Sequence, residues 1–250
     1  MTEIEKTENS GAVSLTEIAD ALESQAQIFE TFAAFYYAPL EQEQLDTIAK
    51  ADFLSVFAGN QNPLVAKGAR QVLTYLKTMR QTARRDLNVD FTGAFYGITE
   101  FKGKIATPYE SVFLSEEGIR NQEQRTQVYH WYKRYGLKIA DKFNTSEDHL
   151  SFELQFLAYL ARKAAAAVRD GQQDEALRLI RDETEFLDKH VLSWFGVFSD
   201  TAKTILTTSF YKGILDMTAG FLQLAHESLA ASEAALEDIA PANVGEDGEA

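Results

Sequence analysis

Glu147, Asp148 and His149 stand side by side, with Glu153 four residues beyond the imidazole. A His-x-x-x-Glu spacing puts imidazole and carboxylate on one helical face, an arrangement that suits metal-assisted or acid–base hydrolysis. A metal site in a helical bundle ordinarily repeats its ligands on a second helix. No second His-x-x-x-His or Glu-x-x-His accompanies this one. The same acids suit the first turn of a helix, where the positive end of the macrodipole favours them, with Ser146 as its cap. A metal- or nucleotide-dependent hydrolase centred on Asp148, His149 and Glu153, and a capped helix start, are both open on these residues alone.

Other chemistry is thinner. The chain has no cysteine, which excludes disulfides, thiolate metal sites and a cysteine nucleophile. A Ser or Thr nucleophile needs a His base, and the four histidines, His130, His149, His190 and His226, are scattered with no Gly-x-Ser-x-Gly elbow. Gly97 to Lys104 has the outline of a phosphate loop, but five residues separate its glycines and Ile105 follows the lysine. The phosphate-binding motif needs four residues there and a Ser or Thr after the Lys, so it is rejected. His190 and Trp194, beside Phe195 and Phe198, suit a stacking cluster or an aromatic core corner. No metal ligand set and no cofactor are expected.

The elements that must position these residues read as helices. Ser14-Leu-Thr-Glu17 has the pattern of a capping box. Leu15, Ile18, Leu22, Phe29, Phe32 and Tyr36 then recur at helical spacing up to Pro39. Leu45 to Phe57 predicts a second helix, and Val65 to Met79 a third, preceded by the turn residues Gly59-Asn-Gln-Asn-Pro63. Residues 88–120 carry four glycines, Pro108 and interleaved aromatics, which predicts a long loop or short helical turns, hinge-like in position. Helices are expected again over Gln122–Phe143, from Ser146 to Gly171, around Leu177–Leu187, and from a cap at Asp200 through Leu224, whose small residues suggest close helix contact. No convincing strand alternation and no repeat is present. The expected fold is all-α, a multi-helix bundle of about seven to ten helices.

The 250 residues carry 24 bases and 38 acids, a net charge of −14, and the placement is uneven. Seven acids and no base follow from Glu227 onward. Residues 227–250 are therefore expected to be a disordered acidic tail, residues 1–14 a disordered start, and residues 15–226 one domain. Between Asp52 and Asp86 there is no acid, and Lys67, Arg70, Lys77, Arg80 and Arg84 fall near one helical face. That stripe would meet an acidic partner or simply be a solvated face. The overall negative charge argues against nucleic acid as a partner. No apolar run nears the roughly 18 residues a membrane span needs, so no stable insertion is expected. The first residues lack the basic and apolar regions of a secretory signal, which makes the cytoplasm the expected address.

Several segments, in order along residues 18–225, resemble the TorD/DmsD family of cytoplasmic chaperones. Phe35-Tyr-Tyr-Ala-Pro39 resembles its opening, Thr107-Pro-Tyr-Glu-Ser-Val-Phe-Leu-Ser-Glu-Glu-Gly118 its loop motif and Val128-Tyr-His-Trp-Tyr-Lys-Arg-Tyr-Gly136 the helix that follows. Glu147-Asp-His-Leu-Ser-Phe-Glu-Leu-Gln-Phe-Leu157 resembles its most diagnostic segment, and Phe186-Leu-Asp-Lys-His-Val-Leu-Ser-Trp194 a later element. Ser146 stands where the family usually has Pro before the acidic pair, and Tyr109 where the loop proline usually has a Trp partner.

The resemblance implies a TorD-like helical chaperone, not an enzyme. Its partners would be the apo-form of a molybdopterin-dependent oxidoreductase of the dimethyl sulfoxide or trimethylamine N-oxide reductase type and that enzyme's twin-arginine leader. Export would wait until the molybdopterin cofactor is inserted. Carried over residue by residue, the leader-binding positions are Phe95, Pro108, Tyr109, Glu110, Glu147, Asp148 and His149. Carboxylates would accept charge-assisted bonds from the leader's arginines, and aromatics would cover its apolar part. The expected state is a monomer, or a dimer swapped across the 88–120 loop.

Overall fold

Ser14 starts the first helix as its spacing predicts: its hydroxyl accepts from the Glu17 amide at 3.2 Å, and Glu17 Oε2 accepts from the Ser14 amide at 2.8 Å. From there the computed structural model describes residues 13–114 and 123–239. α1 (Leu15–Tyr37) is followed by α2 (Gln42–Lys50), α3 (Phe53–Ala58), α4 (Pro63–Thr78) and α5 (Ala83–Ala94). Then come α6 (Glu110–Leu114), α7 (Glu123–Arg134), α8 (Leu150–Arg169) and α9 (Gln173–Leu187). A π-helical turn, Asp188–Leu192, joins α9 directly to α10 (Ser193–Ile205), and α11 (Ser209–Asp238) closes the chain. Among the described residues extended pairing is limited to two isolated bridges, Phe101 with Lys104 and Tyr109 with His149. The all-α bundle expected from periodicity is what forms.

α1 lies antiparallel along α8, and polar ties mark the register. Ser151 Oγ donates to the Ala33 carbonyl at 2.8 Å, Arg162 bridges Glu23 and Glu30, and Arg169 reaches Asp20. α9 packs beside α8, and α11 crosses α4. The α4–α11 crossing depends on small residues: a Cβ on Gly213 would come within 2.6 Å of the Gly68 carbonyl oxygen. Asp90 in α5 ties down the link between α10 and α11. Its buried carboxylate accepts four hydrogen bonds from the amides and hydroxyls of Thr207 and Thr208. The core is one continuous apolar cluster with Trp194, Tyr36, Tyr211 and several phenylalanines fully buried.

Several expected boundaries shift. The second helix is two, α2 and α3, with Ala51 extended between them. The basic stripe is broken, since α4 ends at Thr78 and Arg84 lies on α5, paired with Glu41. Residues 88–94 belong to α5 and 110–114 to α6, so the expected 88–120 loop is shorter, and residues 115–122 lie outside the described residues. α7 stops at Arg134, and Gly136 takes a left-handed φ of 67°. The helix expected to start at Asp200 begins earlier, and a break at Leu206 to Thr208 separates α10 from α11.

Residues 227–238, expected within an acidic tail, are helical. α11 runs on to Asp238 because Leu229, Ser232 and Leu236 still face the interior. Residues 240–250, and residues 1–12 at the other end, lie outside the described residues. Among the described residues no helix is long and apolar enough to cross a membrane.

Candidate functional site

Two irregular segments that are far apart in sequence build the site. The Tyr109 and His149 backbones pair as an isolated antiparallel bridge. The Glu110 amide donates to the Asp148 carbonyl and the Leu150 amide to the Pro108 carbonyl, both at 2.9 Å. These bonds dock the start of α6 against the start of α8. The Tyr109 and His149 rings meet edge to face, centroids 4.8 Å apart.

Asp148 locks the junction from beneath. One carboxylate oxygen accepts from Ser111 Oγ and the other from Ser146 Oγ, each at 2.5 Å, and Asp148 is wholly buried. Ser146 thus braces Asp148, and the expected cap of α8 moves to His149, whose Nδ1 accepts from the Ser151 amide at 3.1 Å. The shift follows from chemistry: a hydroxyl two residues before a buried carboxylate satisfies it without a separate donor.

Behind this junction lies an acid cluster. His190 Nδ1 is 3.2 Å from both oxygens of buried Glu110. Glu153 is fully buried, and neither of its oxygens has a hydrogen-bond partner. Burial raises the Glu110 carboxyl above its ordinary range, partly offset by His190. Burial first, then the neighbouring Glu110 and Asp148 charges, push the Glu153 carboxyl well up. The π turn places His190 here, and the Trp194 indole N–H holds the turn by donating to the His190 carbonyl at 2.6 Å. Phe113 stacks on Trp194 at 5.7 Å, so the His190–Trp194 pair expected as a stacking cluster or a core corner is a core corner beneath α6.

In front of the junction is an open groove of about 540 Å³ lined by Tyr37, Phe95, Tyr96, Tyr109, Asn144 and His149 among others. Three of the seven candidate residues, Phe95, Tyr109 and His149, line this groove, although all three are themselves buried, at 2%, 9% and 6% exposure. Pro108, Glu110 and Asp148 are buried in the wall behind it. Glu147 is mostly covered and bound to Arg125 at 3.1 Å. The charged side chain in the groove lining is Lys142; the carboxylates expected to meet guanidinium groups stand behind the surface. Sequence reading missed Tyr37, Lys142 and Asn144. Tyr37 sat in the Phe35–Pro39 motif as a signal, but nothing in the sequence placed 142–144 opposite it.

The hydrolase reading finds no free ligand set here. The Asp148 oxygens and His149 Nδ1 are engaged by the chain's own serines and amide, and Glu153 is sealed in. Among the described residues no group of three or more His, Cys, Asp or Glu could hold a metal ion.

Comparison with known proteins agrees with the order of motifs. The sequence profile of the family described as nitrate reductase delta subunit matches residues 58–200. The chaperone protein TorD of Vibrio vulnificus is 25% identical over 213 residues, covering 84% of this chain and 96% of that one. The TorD of Aliivibrio fischeri is 25% identical over 215 residues, covering 84% and 96%. The TorD of Photobacterium profundum is 29% identical over 155 residues, covering 62% and 68%.

Proposed function

Since this chain belongs to the nitrate reductase delta subunit family, that of the TorD/DmsD maturation chaperones, we propose that it is a system-specific chaperone for a molybdopterin-dependent oxidoreductase of the dimethyl sulfoxide or trimethylamine N-oxide reductase type. In this reading it works in the cytoplasm. It holds the apo-enzyme through its twin-arginine leader, so that the molybdopterin cofactor is inserted before export. It binds and releases without changing covalent bonds.

The observation that carries the reading is the common groove. Phe95, Tyr109 and His149 come from three separate parts of the chain and line one cleft. Its aromatic walls suit the apolar part of a peptide. Pro108, Glu110 and Asp148 act through the wall, holding Tyr109 and His149 in register. Glu147, two residues past the Thr145 that also lines the groove, is the acid placed to take a leader guanidinium by exchange with Arg125. Such an exchange replaces one Arg–carboxylate bond by another of the same kind.

Titration calorimetry with the leader peptide of the enzyme that co-purifies from source cells tests this. Tyr109→Ala and the groove-filling Thr145→Arg should each weaken binding about tenfold, the loss typical of removing one buried anchor. Unchanged affinity in both would place the leader elsewhere.

A further inference from the structure

The glycine-spaced segment that fails as a phosphate loop forms a small hairpin on the surface. The Phe101 and Lys104 backbones exchange hydrogen bonds of 2.9 and 3.0 Å, and Lys102 and Gly103 between them take φ of 51° and 77°. Two consecutive positive φ values make the tight turn that matches strand twist. The hairpin's base is tied to the end of α5 by the Thr99 amide, which donates to the Gly93 carbonyl at 2.9 Å.

This hairpin exposes what a soluble surface normally hides. Ile98 is 75% exposed, Tyr96 53% and Phe101 43%, with Ile105 beside them. Val89, 63% exposed, lies one turn before Thr92, to which the Ile98 amide is joined. A contiguous patch of large apolar side chains marks an interaction surface. Its charge is opposite to that of the molecule. Residues 96–105 hold Lys102 and Lys104 against Glu100, a net charge of +1 in a chain of net −14. Lys102 and Lys104 flank the turn, Lys102 lying 5.4 Å from the Phe101 ring centre.

We infer that the hairpin and its base, Tyr96, Ile98, Phe101 and Ile105 together with Lys102 and Lys104, dock this protein on the surface of an anionic lipid bilayer. Aromatic and aliphatic side chains sink to the headgroup level while lysines meet lipid phosphates, the division of labour in interfacial anchors. Charge separates this occupant from the leader proposed for the groove. A leader that carries arginines is repelled by a basic rim, and an anionic membrane is attracted. Tyr96 also lines the groove, so a segment held there would sit beside the lipid boundary. The docking itself does not depend on what the groove holds.

The test uses the full chain and vesicles of phosphatidylcholine, with and without about one third phosphatidylglycerol. The protein should co-float with the anionic vesicles and be released by added salt. Ile98→Ser with Phe101→Ser should lower the bound fraction about tenfold, as expected for two lost apolar anchors, and Lys102→Glu with Lys104→Glu should abolish the preference for anionic lipid. These side chains are exposed, so the melting temperature should hold, and the leader affinity of each variant should equal that of the parent. Absence of binding to anionic vesicles, or equal binding by the variants, overturns the inference. So does a loss of leader affinity in the Ile98/Phe101 variant, or a change from dimer to monomer by light scattering, since the patch would then belong to the client or to a second copy.

Discussion

Glu183 sits fully buried in α9, with one oxygen accepting from Gln25 Nε2 at 2.8 Å and the other without a partner. Burial pushes its carboxyl up from 4.5 to about 8. In the unfolded chain the proton leaves near 4.5, so between these values the folded state holds a proton the unfolded state lacks. Stability therefore falls as pH rises across that window, by up to about 1.4 kcal/mol per unit. Glu183→Gln keeps the bond from Gln25 and should flatten this slope; an unchanged slope in urea unfolding between pH 5 and pH 8 would show the group ionises without penalty. Asp148 differs from Glu183 in having hydrogen-bond partners on both oxygens. Its carboxyl accepts from two serine hydroxyls and the Ser111 amide, so Asp148→Ala strands buried donors. It should lower stability by about 2 kcal/mol in urea unfolding, and an equally stable variant would show that the hydroxyls find other acceptors. Asp148→Ala thus loses fold and groove together. None of these pairings could be read from Glu147-Asp-His149 alone, because the partners lie on Ser111 and, for the adjoining cluster, on Glu110 and His190.

At the scale of elements, caps and turns were the legible signals. Ser14 and Glu17, Asn62 before Pro63 at the start of α4, and Gly171 with φ 70° after α8 all act where their chemistry indicates. The misread boundaries share one cause: apolar residues keep helical spacing across a break. Leu45 to Phe57 continues through Ala51, and Ala202 to Gly213 continues through Leu206, since both sides of each break face the same core. The α4–α11 crossing was visible as a run of small residues but not as a pair. Gly213→Leu drives a side chain into the Gly68 carbonyl and should lower stability by about 3 kcal/mol; a shift in urea midpoint no larger than that of an exposed control would show that the helices can move apart.

For the whole molecule, the charge imbalance and the fold part company. The acid-rich end is in part a structural helix, with Leu229 and Leu236 fully buried and Arg181 bridging to Glu233 and Glu237. A chain ending at Ile239 should melt like the parent, while one ending at His226 should melt several degrees lower because two buried leucines are lost. Equal melting of both would make the last turns of α11 dispensable. The sequence by itself determined the all-helical class and the family, because these depend on spacing and residue type along the chain. Only the tertiary structure decided which of the seven candidate residues line the groove and which stand behind its wall. Burial and hydrogen-bond partnership are set by segments remote in sequence, and here the docking of residues 107–111 on 146–151 turned expected surface acids into buried supports.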